Sequence, residues 1–123
     1  MIPILVIEDN ERNARLTRDI LVRAGYQVIQ ASTGGEGLKI AQEQLPPIIL
    51  MDIQLPDIDG KEVIKQLKSS SDTSQLKIIA LTAQAMLEDK KEIEASGCDA
   101  YLSKPYSYKN LLSTIQQLLI ERG

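Results

Sequence analysis

The sequence predicts an α/β fold, a doubly wound (βα)5 sandwich in which five parallel strands form one sheet with helices on both faces. Short apolar runs alternate five times with longer segments whose apolar residues recur at helical spacing, a pattern typical of a parallel sheet. The third run, residues 48–52 (IILMD), is apolar until its last residue, as in a strand buried on both faces. The loop after it (IQLPDIDG) is punctuated by proline and glycine. The flavodoxin-like strand order 2-1-3-4-5 fits five such units.

The first two strand–helix units cover residues 2–47. Residues 2–7 (IPILVI) are expected to form the first strand, with its proline at the start, where a missing N–H is tolerated. Residues 26–31 (YQVIQA) are expected to form the second strand, followed by a turn at residues 32–35 (STGG). The first helix should end at Gly25, and the apolar residues of its buried face are Leu16, Ile20, Leu21 and Ala24. The second helix should end before Pro46-Pro47, and its apolar markers are Leu38, Ala41 and Leu45.

The later units follow the central strand. Residues 77–82 (KIIALT) and 99–103 (DAYLS) are predicted to be the fourth and fifth strands, and residues 69–74 (SSSDTS) an exposed loop. The fourth helix, residues 85–96, carries EDKKE in its middle and is the least amphipathic, and Gly97 should end it. The inward-facing residues of the third helix are Val63, Ile64 and Leu67. Those of the fifth helix are Leu111, Leu112, Ile115, Leu118 and Leu119.

The composition is that of one globular domain, which we expect to span residues 1–123 with no attached output domain. Its core must be aliphatic, because Phe and Trp are absent. A net charge of −3 without a long single-sign run argues against nucleic acid or a membrane as the main partner. The single cysteine, Cys98, cannot form an internal disulfide, and no leader or spanning segment is evident. We therefore expect a cytoplasmic protein.

Histidine is absent from the sequence. The chain therefore cannot carry a histidine-ligated metal site, a Ser–His or Cys–His nucleophile pair, or a phosphohistidine. Carboxylates, hydroxyls and lysines are left to carry any chemistry.

Reactive side chains stand just past four of the five predicted strands. The first strand is followed by Glu8 and Asp9, the third ends at Asp52, the fourth ends at Thr82, and Lys104 follows the fifth. Parallel strands in the order 2-1-3-4-5 would bring all these groups to one rim of the sheet, where such folds place their ligands.

The charges at this rim indicate the chemistry. Carboxylates about 5 Å apart repel by roughly 3 kcal/mol per pair at an effective dielectric near 20, so a cluster of three needs a proton or a cation. Oxygen ligands without histidine or cysteine suit Mg²⁺, and a carboxylate can accept a phosphoryl group. A lysine and a hydroxyl could bind the phosphoryl oxygens. The rim is therefore predicted to be a phosphoryl-transfer site.

At these residues the whole chain resembles the CheY-like response-regulator receiver family. The matching motifs are IEDN (residues 7–10), MDIQLPDIDG (51–60), LTA (81–83) and SKP (103–105). The sequences of these motifs are similar to those of single-domain DivK-type regulators and of receiver modules of hybrid histidine kinases. The resemblance implies that Asp52 accepts a phosphoryl group and that Glu8, Asp9, Asp52 and the backbone carbonyl of Gln54 hold Mg²⁺, with Mn²⁺ as an alternative.

The resemblance also implies roles around the acceptor. Lys104 and Thr82 would bind phosphoryl oxygens, Tyr101 would be the aromatic residue that rotates on activation, and Gln54 and Gln84 would tune the lifetime of the phosphoryl group. The Lys104-Pro105 bond matches one that is often cis in the family.

The surface formed by the fourth helix, the fifth strand and the fifth helix is the expected partner-binding face. The weakly anchored fourth helix is the natural element to move. The residues expected to contact a partner are Lys90, Lys91, Tyr101 and Tyr106.

The predicted function is a phosphorylation-driven switch in two-component or phosphorelay signalling. Its donor would be a phosphohistidine on a sensor histidine kinase or a histidine phosphotransfer protein. Its output would be binding of a downstream protein, or onward transfer of the phosphoryl group. Two alternatives stay open, a magnesium-dependent aspartyl-phosphate phosphatase and a phosphorylation-independent scaffold. The phosphatase is disfavoured because Gln54 stands where haloacid-dehalogenase-like enzymes place a second aspartate.

Overall fold

The computed structural model describes residues 1–83 and 87–122, with the backbone alone for residues 87–89 and 122. Strands and helices alternate in the order β1 (Pro3–Ile7), α1 (Glu11–Arg23), β2 (Gln27–Ala31), α2 (Gly34–Gln44), β3 (Ile48–Asp52), α3 (Gly60–Ser69), β4 (Lys77–Thr82), α4 (Leu87–Ala95), β5 (Ala100–Ser103) and α5 (Tyr108–Arg122). All strand pairs are parallel. The sheet order β2-β1-β3-β4-β5 confirms the predicted topology.

Two apolar layers cover the sheet, because successive strand residues point to opposite faces. One layer, which we call the α2–α3–α4 layer, contains Ile7, Met51, Ala80, Val63 and Ile93. The opposite layer, the α1–α5 layer, contains Val6, Leu50, Leu81, Leu21 and Ile115. The central strand β3 is fully buried on both faces, as its sequence predicted.

The buried face of α1 differs from the prediction. Leu16 is 56% exposed, whereas Thr17 is buried together with Leu21. A threonine can occupy this position because its Oγ1 lies 3.0 Å from the hydroxyl of Tyr106, so the buried hydroxyl has a hydrogen-bond partner. Ala24, also expected to face inward, is the exposed C-cap of the helix.

The start of α2 also differs, because the last two residues of the predicted turn, Gly34 and Gly35, are the first residues of the helix. Thr33 is its N-cap, and its side chain accepts a hydrogen bond from the amide of Glu36 at 3.1 Å. Leu45 is not an inward-facing residue. It ends the helix in the left-handed conformation (φ 49°) and is 46% exposed.

The polar segment at residues 69–74 is exposed over its first four residues, whereas Thr73 is buried and Ser74 is half-buried. Thr73 is 1% exposed and donates its hydroxyl to the carbonyl of Leu67 at 2.6 Å, which satisfies an orphan carbonyl near the end of α3. The α4 helix begins at Leu87 in the described chain, and residues 85 and 86 of its predicted span lie outside the described residues. Within the described residues, no helix is both long and apolar enough to span a bilayer.

Candidate functional site

Three carboxylates meet at the carboxyl rim of the sheet. Glu8 follows β1 and Asp52 ends β3, and both side chains are buried, with exposed fractions of 5% and 6%. Asp9 is exposed beside them. One carboxylate oxygen from each of the three residues lies within 4.8 Å of the others. Adjacent parallel strands β1 and β3 bring these residues together, as their positions at the strand ends predicted.

Lys104, which follows β5, contacts two of these carboxylates. The Nζ atom of Lys104 lies 2.8 Å from Oδ2 of Asp52 and 3.2 Å from Oε1 of Glu8. The backbone amide of Lys104 donates to the carbonyl of Thr82 at 2.7 Å, which extends the β4–β5 pairing to the rim. The Lys104-Pro105 peptide bond is cis, as expected.

The cluster has more negative charge than Lys104 can neutralise. Its three carboxylates face one ammonium group, and Oε2 of Glu8 is buried with no hydrogen-bond partner among the described atoms. A buried, unpartnered carboxylate oxygen is costly. Burial, with the neighbouring Asp52 adding to it, raises the pKa of Glu8 from 4.5 to about 7.

Asp52 and Lys104 are held in their charged forms. Burial alone would raise the pKa of Asp52, but the neighbouring Glu8, together with the hydrogen bonds from Lys104 and the amide of Gln54, outweighs burial and lowers it. Burial likewise opposes the charge on Lys104, yet Asp52 and then Glu8 raise the pKa of the lysine. Asp52 is therefore an ionised carboxylate in an otherwise buried position.

These residues fit a divalent cation of the magnesium type. The ligand set offers oxygen atoms alone, which Mg²⁺ prefers, and leaves coordination positions for water or a phosphoryl group. The unpartnered oxygen of Glu8 gives a second reason, since a cation would supply the partner that it lacks. The cluster could therefore bind a metal.

Comparisons with known proteins agree with this arrangement. A family model described as the response regulator receiver domain matches residues 4–116. The chain belongs to the response regulator receiver family. It is 43% identical to the polar-differentiation response regulator DivK of Brucella ovis over 116 residues, which is 94% of each chain.

Solved structures show the same fold. A CheY-like receiver domain protein of Methanospirillum hungatei superimposes with a TM-score of 0.92 at 33% identity, covering 99% of this chain and 96% of the other. The receiver domain of a sensor histidine kinase of Pseudomonas aeruginosa has a TM-score of 0.88 at 31% identity, covering 94% and 95%. That structure contains a magnesium ion coordinated in its active-site cleft. Members of this family are phosphoacceptor switches that receive phosphoryl groups from histidine kinases or phosphotransfer proteins.

The loop after β3 of the receiver shapes the second side of the site. The amide of Gln54 donates to Oδ1 of Asp52 at 2.9 Å, so the loop folds back on the carboxylate. Thr82, which is buried, lines a cleft of about 460 Å³ together with Gln54 and Ile93. Thr82, whose hydroxyl was predicted to bind a phosphoryl oxygen, therefore shares this cleft with the loop.

The residues predicted for the partner face divide between the two faces of the sheet. Tyr101 is half-buried against the α2–α3–α4 layer, whereas Tyr106 packs on the α1–α5 layer, with its hydroxyl 3.0 Å from Oγ1 of Thr17. Lys90 is half-buried and Lys91 is exposed. Gln84 lies outside the described residues.

One carboxylate of the loop after β3, Asp57, was not among the residues predicted for the site. Asp57 accepts hydrogen bonds from the amides of Gly34 and Gly35 at 2.8 and 2.9 Å. No local sequence signal indicates this contact, because its two sides are 22 and 23 residues apart. A threonine N-cap followed by two glycines was the available hint that a helix begins there.

Proposed function

We propose that this receiver accepts a phosphoryl group on Asp52 from a phosphohistidine of a partner kinase or phosphotransfer protein, in the cytoplasm. The observation that carries the proposal is the ionised Asp52 carboxylate, buried at the end of β3 within hydrogen-bond distance of Lys104 and beside two further acids. Phosphorylation then changes binding of a downstream protein or supplies the phosphoryl group to another histidine.

The transfer step is a displacement at phosphorus. A carboxylate oxygen of Asp52 forms the new O–P bond while the P–N bond of the phosphoimidazole breaks, and the imidazole nitrogen keeps the electron pair. Lys104, already 2.8 Å from Asp52 Oδ2, places a positive charge where the phosphoryl oxygens arrive. The hydroxyl of Thr82, on the cleft beside them, is the proposed donor to a phosphoryl oxygen. In this way the receiver assists its own phosphorylation and, with water as the nucleophile, its dephosphorylation.

Glu8, Asp9, Asp52 and the backbone carbonyl of Gln54 would hold Mg²⁺, or Mn²⁺ in its place. When bound, the ion would offset the carboxylate charge and stabilise negative charge on the transferring group. The side chains of Gln54 and Gln84, flanking the acceptor, would govern how readily water reaches the phosphoryl group.

The proposed output surface is the face formed by α4, β5 and α5. A phosphoryl group adds about −1.5 to −2 charges at the rim, next to Thr82 and Lys104. Tyr101 pairs with Ala80 across β4 and β5 and packs on the layer that includes α4, so its ring can respond to movement of Thr82. Lys90, Lys91 and Tyr101 are the proposed contacts. Tyr106 belongs to this surface only at its edge, because its hydroxyl lies against α1.

Intact-mass measurement with Mg²⁺ and acetyl phosphate tests the acceptor. The unmodified receiver should gain one phosphoryl group, and Asp52→Asn should gain none. Asp72→Asn, which removes an exposed acid in the loop after α3, is the matched control and should behave as the unmodified protein. Incorporation that persists in Asp52→Asn would overturn the assignment. Continuous release of phosphate without accumulation of the modified protein would favour a phosphatase instead.

A further inference from the structure

The loop between β3 and α3 is tied to a distant helix by one carboxylate. Both oxygens of Asp57 accept backbone amides from the first turn of α2, Oδ1 from Gly34 at 2.8 Å and Oδ2 from Gly35 at 2.9 Å. Asp57 itself is exposed, so neither burial nor core packing accounts for its position. The contact joins two of the loops that surround the site.

The N-terminus of α2 is capped from two places in the chain. Its own N-cap, Thr33, binds the amide of Glu36 through the side chain and the amide of Gly37 through the carbonyl, at 3.1 and 3.0 Å. The two remaining amides of the first turn belong to Gly34 and Gly35, which Asp57 binds. A carboxylate at a helix N-terminus is favoured by the helix dipole as well as by the hydrogen bonds. The same amides lower the pKa of Asp57.

Packing beneath the carboxylate reinforces the tie. A Cβ atom added at Gly34 would lie 2.2 Å from Cγ2 of Ile58 and 3.3 Å from Cδ1 of Leu55. Glycine at this position therefore lets the side chains of the loop lie directly on the start of α2. Without a side chain at residue 34, the loop and the helix can approach closely enough for the Asp57 hydrogen bonds to form.

Gln54 lies between two fixed points of this loop. On one side its amide is bound by Asp52 at 2.9 Å, and on the other Asp57 is held by α2. The amide of Gly60 also donates to the carbonyl of Ile53 at 2.9 Å, which closes the loop at its base. The Gln54 peptide therefore lies in a short stretch of loop held by Asp52 at one end and by Asp57 at the other.

We propose that Asp57 is a positioning residue, which sets the affinity of the site for a divalent cation by fixing the Gln54 carbonyl relative to Glu8, Asp9 and Asp52. This inference rests on the proposed function, because it takes the Gln54 carbonyl as a ligand. Losing partners that orient metal ligands reduces metal affinity by about tenfold or more.

Calorimetric titration with MgCl₂ tests the proposal. Asp57→Ala should weaken Mg²⁺ binding about tenfold without changing the thermal midpoint of the metal-free protein by more than a few degrees. The charge-matched control is Glu36→Gln, which removes an exposed carboxylate from the first turn of α2 and should change the affinity less than about twofold at high salt.

A second variant separates the hydrogen bond from the charge. Gly35→Pro removes the amide that Asp57 Oδ2 accepts while leaving every charge in place, and the first turn of a helix tolerates proline. It should also weaken Mg²⁺ binding. Equal effects of Asp57→Ala and Glu36→Gln, or unaltered affinity in Gly35→Pro, would overturn the positioning role. Unmodified protein with no saturable Mg²⁺ binding would overturn both this inference and the proposed metal site.

Discussion

The two ends of the sheet both carry ion clusters, but their charges are balanced differently. At the amino edge, which here means the start of β4 and β5, Asp99 has Lys68 at 2.7 Å, Lys77 at 3.8 Å and the amide of Ile78 at 2.8 Å. At the carboxyl rim, three carboxylates share the ammonium group of Lys104. Both clusters are partly buried and both join elements distant in sequence.

The difference separates a structural cluster from a functional one. Lys68 also donates to the carbonyls of Ser74 and Leu76 at 3.3 and 2.8 Å, so the amino-edge cluster closes the loop after α3 with its charges paired. The carboxyl rim keeps excess negative charge and an unpartnered oxygen on Glu8. An arrangement that costs folding energy and is nonetheless built into a rigid rim is typical of a site that binds a ligand.

The largest expected effect on stability lies at the amino edge. Asp99→Ala should lower the free energy of unfolding by about 3 kcal/mol, because it leaves the partly buried charge of Lys68 without its carboxylate and the Ile78 amide without its acceptor. Urea unfolding measures the change, with Asp72→Ala as an exposed control. Phosphorylation by acetyl phosphate should proceed as in the unmodified protein under native conditions. A folded Asp99→Ala variant that cannot be phosphorylated would contradict the assignment of the amino-edge cluster to a purely structural role.

Removing a charge from the carboxyl rim should raise the free energy of unfolding, whereas Asp99→Ala should lower it. The folded protein holds the Glu8 proton more tightly than the unfolded chain, since the pKa rises from 4.5 to about 7. The free energy of unfolding of the metal-free protein should therefore fall as pH rises through that window. Glu8→Gln should flatten this dependence and be more stable by about 1–2 kcal/mol near pH 8. A destabilised Glu8→Gln protein at that pH would contradict the excess-charge interpretation.

Mg²⁺ should stabilise the folded protein through residues at the carboxyl rim and not through those at the amino edge. A concentration about tenfold above its Kd should raise the free energy of unfolding by about 1.4 kcal/mol, by mass action on the folded state. Asp9→Ala should lose most of this gain, whereas Asp99→Ala should keep it in full despite its lower starting stability. Thermal unfolding with and without MgCl₂ measures both. If Mg²⁺ does not change the thermal midpoint of the unmodified protein, the result counts against the proposed metal site.

The smallest effect is expected at an ion pair that belongs to neither end. Lys61 of α3 binds the carboxylate of Glu92 on α4, whose side chain is 62% exposed. Exposed pairs contribute about 0–1 kcal/mol, so a double-mutant cycle of Lys61→Met and Glu92→Gln should give about 0.5 kcal/mol. With a link this weak, α4 is attached to the domain mainly by the packing of its buried Ile93, and the ion pair adds little resistance to the movement that the output proposal requires. A coupling energy above about 2 kcal/mol would show that α4 is held firmly and would count against it.

Most of the fold could be predicted because its three central strands, β1, β3 and β4, are buried on both faces. The predicted bounds 48–52 and 77–82 agree with β3 and β4, since a continuous apolar run has few other stable environments in a single domain. Helix faces were less certain. In α1, the choice between Leu16 and Thr17 depended on a hydroxyl partner from Tyr106, which is 89 residues away.

The candidate site follows the same division. Glu8, Asp52, Thr82 and Lys104 could be assigned to one rim because the ends of adjacent parallel strands share an edge. That assignment did not include the ties between loops. Asp57 has the local appearance of an ordinary loop acid and Asp99 was the first residue of a predicted strand, and the partners of both are set by which segments pack together.

The sequence by itself determined the alternation of strands and helices, the acids and the lysine at the strand ends, and the absence of a histidine to phosphorylate. The tertiary structure alone decided which acids are neutralised and which are not. Hydrophobic periodicity is a local property that the chain repeats every few residues, so it can be read in order along the chain. Charge balance depends on distances of about 3–4 Å between side chains from different elements, and those distances exist only once the chain has folded.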